Sequence, residues 1–516
     1  MRMWTMNTLV MNLTRLGDLL QTQPVLHGFA GQGRVGLLCL ENFQAASEVM
    51  SGADRVLTLP GPALLASLDR SWRAGLTVFR RFADEVSAQF PMSRVVNLTP
   101  TVSARLLALC LGRERAAGFS MDSHGFATHS SPWAVFLQTA SSNRGCSPFN
   151  VVDVFRRVAD LPPAGGRFSL ARPSEAEQAA VRVALRADAP AGSKGFVGLQ
   201  LGASEDRRRW PLEYFSRLGG LLWEKLSLTP VLLGSQAERV LADRFAARAG
   251  FPFVDRIGRT SLPGLAATLA CCDLLVTNDT GTMHLAAGLG VPVAAIFLAT
   301  AQPWDTGPYR AGSLSLEPDL PCHPCGFGKA CPNGLACRQA IGPETLFSLA
   351  RSWLEGNGWS REPVRGARAW LAEVEPSGYL GLRDLSGRPD DARTSWIRLQ
   401  REALRHYLDG APGVWTGESG VADADLAGEL RAACDILTLL ASQCALLARD
   451  PRPALKSKFL GYWQRLQAVL AQSRRLDALG SMLLLEMEER SSDLAGLMVC
   501  LQRYLELLRG LQSAVR

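Results

Sequence analysis

Three short stretches hold residue types suited to proton transfer and phosphate binding. In Thr14-Arg15-Leu16-Gly17-Asp18, a glycine permits a tight turn and Asp18 falls in the first turn of a following helix. A carboxylate there serves either as a general base or as a helix cap. In Gly202-Ala-Ser-Glu-Asp-Arg-Arg-Arg-Trp-Pro211, Arg207, Arg208 and Arg209 supply guanidinium forks that match phosphate oxygens. The alternative is a solvated charge run, which Trp210-Pro211 argues against. In Asn278-Asp-Thr-Gly-Thr-Met-His284, Asp279 is placed to cap a helix. The N–H groups of Thr280, Gly281, Thr282 and Met283 would then lie near a helix start, a ready phosphate site. D-T-G strings also occur in unrelated folds.

The elements around these stretches alternate. Leu9–Leu13, Val35–Leu40, Arg55–Leu59 and Arg94–Leu98 read as strands, with helix-period segments such as Leu19–Phe29 and Ala63–Phe82 between them. Leu161-Pro-Pro-Ala-Gly-Gly-Arg167 reads as a linker. A second alternating block has strands at Phe196–Leu201, Pro230–Gly234, Phe253–Ile257, Leu274–Thr277 and Val293–Phe297. Such alternation predicts two doubly wound α/β halves that bind ligands beyond the carboxyl ends of their strands. After about residue 376 the strand signal fades. Leu426, Leu430, Ala433, Leu437, Leu440, Cys444 and Leu447 then follow steps of four and three, one seam of a long helix. With helices expected at Lys456–Leu479 and Met482–Leu511, this region predicts an all-α bundle of roughly four helices, or a seam for oligomerisation or a partner. The domains expected are 1–165, 166–375 and 376–516.

The chain has 516 residues, 47% hydrophobic and 20% charged, with a net charge of +7. That is globular composition, with a mild preference for anionic ligands or membrane surfaces. No basic block is interleaved with aromatics, so nucleic acid is not an expected partner. The apolar run Met283–Thr300 contains His284 and reads as a buried helix followed by a buried strand rather than a membrane span. With no signal-peptide pattern, a cytoplasmic protein is expected.

Cys322-His-Pro-Cys325, Cys331 and Cys337 crowd four of the twelve cysteines into one glycine- and proline-rich loop. Their spacing suits a structural zinc or iron site, with packing of reduced thiols as the alternative. Asp423-Ala-Asp425 reads as a helix-start charge pair.

Taken in order, L-V-M-N-L-T-R-L-G-D-L-L, G-A-S-x-x-x-R-R-W-P and N-D-T-G-T-M-H-L-A-A-G-L-G-V-P resemble glycosyltransferase family 9, the bacterial heptosyltransferases, over roughly residues 8 to 350. The resemblance implies a GT-B-type fold and inverting transfer of heptose from an ADP-linked donor to a cell-envelope glycolipid, another glycan or a protein. It implies a general base at Asp18 and a phosphate-binding residue at Arg208, where the family usually has lysine, with Arg209 beside it. It further implies a nucleotide-diphosphate loop at Asp279, Thr280, Gly281 and Thr282, with His284 adjacent, and a carboxylate near the nucleoside at Glu238. Charge on the departing diphosphate would be met by arginine and the helix start, so the chemistry requires no metal cofactor. Peripheral contact with the inner membrane fits a glycolipid acceptor. Another nucleotide-linked sugar, and a catalytically inactive nucleotide-sugar or glycan-binding protein, are the competing readings.

Overall fold

Short Val- and Leu-rich runs bounded by glycine and polar turns build two largely parallel sheets. The computed structural model describes residues 6–112, 116–142, 147–417, 421–490 and 493–515. Two compact units emerge: Met1–Met121 with Phe149–Arg388, and Asp122–Pro148 with Pro389–Arg516.

In the first unit, β1 (Thr8–Met11), β2 (Val35–Leu40), β3 (Arg55–Leu59), β4 (Arg94–Asn97) and β5 (Ala116–Met121) pair in parallel in the order β3-β2-β1-β4-β5. The chain winds outward from β1 in one direction and then from β4 in the other, so the switch point lies beside β1. Leu9, Met11, Leu38 and Val95 bury their side chains under Phe82, Val86 and Phe90. β5 is not expected from its sequence, because Ala-Ala-Gly-Phe-Ser-Met has no β-branched residue. A three-residue strand, β6 (Ala127–His129), follows in the segment that groups with the second unit.

The second sheet contains β7 (Gly195–Gln200), β8 (Leu228–Leu233), β9 (Val254–Asp255), β10 (Leu274–Asn278), β11 (Val293–Ile296), β12 (Leu314–Pro318), β13 (Ala367–Val374) and β14 (Leu380–Asp384). Its order is β14-β13-β12-β11-β10-β7-β8-β9, parallel from β9 to β12 and antiparallel beyond. Its switch point falls between β7 and β10. The apolar run from Met283 forms the buried helix Gly281–Leu289 and then β11.

The boundary expected at residue 376 falls later. Gly378, at φ +83°, is the turn of the β13–β14 hairpin, so the glycines near it shape a sheet edge rather than a domain junction. The expected 1–165 domain also loses 122–148 to the second unit.

That second unit is helical: Pro132–Ser142, Ala392–Leu408, Ala424–Arg449, Pro453–Gln472, Asp477–Glu489 and Leu494–Ala514. Ala424–Arg449 is long and apolar enough to cross a membrane by length and composition alone. The seam residues Leu426, Leu430, Ala433, Leu437, Leu440 and Cys444 are all fully buried, and the helix packs against Pro453–Gln472 and Leu494–Ala514. Asp423 caps it by accepting from the Leu426 N–H at 2.9 Å. The helices expected to run unbroken over Lys456–Leu479 and Met482–Leu511 are each interrupted. Ser473 Oγ accepts from the Leu476 N–H at 3.2 Å, and Asp493 caps the last helix by accepting from the Ala495 N–H at 3.0 Å. Both side chains offer the backbone an alternative to a continuing helix.

Candidate active site

Adjacent strands β7 and β10 end side by side, with Gln200 opposite Thr277, so the loops that follow them share one edge of the sheet. Asn278 ties the two loops together. Its fully buried side chain donates to the Leu201 and Gly202 carbonyls at 3.1 and 3.0 Å, and its Oδ1 accepts from the Trp210 N–H at 2.9 Å. The Trp210 indole is 1% exposed, donates to the Ile341 carbonyl at 2.9 Å and meets the Phe215 ring edge-on. Burying an indole of roughly 150–250 Å² contributes about 4–6 kcal/mol. The arginine turn is therefore anchored, not a solvated run.

Within that turn the three arginines diverge. Arg208 is 6% exposed, pairs with the Asp279 carboxylate and donates to Ser204 Oγ at 3.0 Å. Arg209 instead turns to Asp206 at 3.2 Å, and Arg207 pairs with Glu205 at 2.7 Å. Arg208 and Asp279 are thus brought together and Arg209 is not. The cap expected from Asp279 is absent, since its carboxylate is drawn to Arg208. Thr280 holds the N-cap position with no side-chain cap hydrogen bond, and its Oγ1 lies 3.3 Å from Thr277 Oγ1.

A second chain of contacts runs across the same edge. Thr282 Oγ1 donates to Gln200 Oε1 at 3.0 Å, and Gln200 Nε2 donates to Glu238 Oε1 at 3.2 Å. Glu238 also accepts from the Ser235 N–H at 2.6 Å, closing a capping box. A β-carbon on Gly202 would lie 1.3 Å from Glu238 Oε1, so any larger residue there would have to displace the Glu238 carboxylate. Sequence reading missed Gln200 and the Asn278 side chain as site members. Each is an amide residue at the carboxyl end of a mostly apolar parallel strand, and that was the available signal.

Asp18 lies in the helix Leu16–Gln21 immediately after β1, half-buried, with its backbone carbonyl accepting from Thr22 Oγ1 at 3.0 Å. This helix meets the start of Gly281–Leu289. A β-carbon at Gly17 would stand 3.6 Å from Gly281 Cα and 3.1 Å from His284 Cδ2. Gln21 Nε2 and His284 Nε2 are 3.3 Å apart, and His284 is buried. His284 therefore faces the first half's helix, within one turn of the helix start at Gly281.

The cysteine loop docks on the arginine turn. Arg207 donates to the Lys329 carbonyl at 2.7 Å, and Arg338 donates to the Arg209 carbonyl at 2.9 Å. Burial, then the neighbouring Cys337, Cys322 and Cys331, raise the Cys325 thiol above its ordinary pKa, and burial raises Cys337 as well. Among the described residues no three His, Cys, Asp or Glu side chains form a set that could hold a metal ion. The tetrahedral site expected from Cys322, Cys325, Cys331 and Cys337 is not formed as these residues stand.

Two Rossmann-like sheets with polar loops at their switch points define the GT-B class of glycosyltransferase folds. Residues 87–336 match the model of glycosyltransferase family 9 (heptosyltransferase). Over 139 residues the chain is 37% identical to lipopolysaccharide heptosyltransferase 1 of Pseudomonas aeruginosa, a match covering 27% of this chain and 38% of that protein. In structure it is similar to a family 9 glycosyl transferase of Veillonella parvula, with TM-score 0.55 and 18% identity over 69% of this chain and 99% of the other. It is also similar to ADP-heptose lps heptosyltransferase II of E. coli, with TM-score 0.51 and 17% identity over 68% and 99%. These two likenesses show the fold.

Proposed function

We propose that this protein transfers a sugar, heptose from ADP-heptose, with inversion onto an acceptor of the cell envelope at the cytoplasmic face of the membrane. The observation that carries the proposal is the meeting of the two switch-point helices. Gly17, next to Asp18, lies against Gly281, next to the Arg208–Asp279 pair and the open helix start. A carboxylate and a phosphate-binding edge on opposite sides of one point are what inverting transfer requires. The acceptor hydroxyl attacks the anomeric carbon and gives its proton to Asp18. The bond from that carbon to the diphosphate breaks, and the nucleoside diphosphate leaves with the electron pair. Arg208 and the N–H groups at Gly281 and Thr282 stabilise the charge it carries away. Glu238 and Gln200 line the nucleoside side, and His284 holds the two helices in register.

A glycolipid acceptor is favoured by the helical hairpin Gly61–Arg70 and Trp72–Gln89. There Leu65, Leu68, Trp72 and Leu76 are exposed at 64%, 47%, 67% and 53%, among Arg70, Arg73, Arg80 and Arg81. Exposed tryptophan and leucine flanked by arginine suit an anionic membrane surface. Metal at the cysteine loop rests on spacing alone. About one zinc or iron per chain in anaerobically purified protein would support it, and none would leave the loop as packing.

The test is release of nucleoside diphosphate from a panel of nucleotide sugars by the full chain, with Asp18→Asn alongside. ADP-heptose should be the preferred donor, and the variant should lose about 10²–10⁴-fold in turnover while keeping donor affinity. Near-wild-type turnover in the variant would reduce Asp18 to a helix element. No turnover with any donor or acceptor would favour a binding protein.

A further inference from the structure

The helical unit contains a cleft that the transfer reaction does not use. It is an open cleft of about 150 Å³ between the end of the helix Ala392–Leu408, the loop after it and the helix Leu494–Ala514, and His406, Tyr407, Trp415, Arg503 and Glu506 line it. Its walls are held in place. Gly510 sits inside a helix, where glycine costs roughly 0.5–1 kcal/mol relative to alanine. A β-carbon at Gly510 would come 2.6 Å from the Trp415 carbonyl, so the glycine admits the loop. The indole in turn lies where a β-carbon on Gly417 would reach within 2.0 Å of it. Arg503 donates to the Tyr407 carbonyl at 2.7 Å, with its guanidinium 4.5 Å from the centre of the Tyr407 ring.

Several polar groups at this cleft have no protein partner. Among the described residues neither the Trp415 indole N–H nor the His406 imidazole makes a hydrogen bond, and Glu506 uses only Oε1, which accepts from Gln502 at 3.1 Å. The mixture of an indole, a guanidinium and a carboxylate in one cleft indicates the ligand class. A phosphate would meet the Glu506 carboxylate, a simple cation would meet Arg503, and a wholly apolar ligand would strand both charges. A sugar ring satisfies all of them. Its C–H face rests on the indole, its hydroxyl oxygens accept from Arg503 and the indole N–H, and its hydroxyl protons go to Glu506.

We propose that this cleft is a carbohydrate-binding site, separate from the transfer site, that takes one or two sugar residues of a glycan. It goes beyond the proposed transfer reaction and does not depend on it.

The test is saturation-transfer NMR on the full chain with glucose, galactose, N-acetylglucosamine, a free heptose and their disaccharides, read as binding and not turnover. At least one sugar should bind. Trp415→Ala and Glu506→Gln should each weaken it by about tenfold or more, with circular dichroism and nucleoside diphosphate release unchanged. Binding that survives both substitutions, or that a nucleoside diphosphate displaces, would overturn the assignment, as would a panel with no binder.

Discussion

At the scale of single residues, the decisive finding is that the Arg208 guanidinium is already engaged. Its partner Asp279 is 9% exposed, so the pair is largely desolvated. Breaking such a pair by removing one member costs roughly 3–5 kcal/mol, because it leaves a buried charge unmatched. Arg208→Ala should therefore lower stability and also leave a bare carboxylate beside the diphosphate, weakening nucleoside diphosphate binding by at least about tenfold. Arg208→Lys should recover part of the affinity, since lysine keeps the charge but cannot contact Ser204 and Asp279 together. Adding Asp279→Asn to Arg208→Ala should restore stability without restoring affinity. Calorimetric titration and thermal melts of the four proteins check this. Full affinity in Arg208→Ala would mean that the arginine only holds Asp279.

At the scale of elements, a loop chosen for its cysteines turns out to support the arginine turn. Arg338 lies directly after Cys337, and its charged hydrogen bond to the Arg209 carbonyl is worth roughly 1.5–3 kcal/mol. Its contact with Asp206 at 3.4 Å involves a carboxylate 72% exposed and adds little. Arg338→Ala is expected to loosen the turn and weaken nucleoside diphosphate binding by about threefold to tenfold. Arg217→Ala removes an exposed ion pair with Glu344 and should change stability by less than about 1 kcal/mol, with affinity unaltered. Equal effects from the two substitutions, measured by titration, would show that the cysteine loop does not position the turn.

For the whole molecule, two compact units predict two unfolding events by calorimetry. A nucleoside diphosphate at about 100 times its dissociation constant should stabilise the unit that binds it by roughly 2.7 kcal/mol. Only the transition of the first unit should move. A single transition, or two that shift together, would show that the units unfold as one. A sugar that binds the helical cleft should move the other transition.

The strands at both switch points, the helices after them and the buried seam of Ala424–Arg449 were all legible in the sequence. Local periodicity encodes them, and burial requires them to read as apolar runs or stripes. The placement of Asp18, the Asp279–Thr282 turn and the arginine turn at the sheet edges was legible too, because loops after parallel strands have only one edge on which to lie. Which charges meet was decided by tertiary structure alone. Arg207, Arg208 and Arg209 are consecutive in sequence, yet the backbone of that turn sends only Arg208 to Asp279, and Trp210 holds the turn in that pose. The β13–β14 hairpin, the grouping of 122–148 with the helical unit and the Trp415 cleft likewise depend on contacts between distant segments. No local pattern records such contacts, because a side chain's partner is set by where the fold brings it and not by its neighbours along the chain.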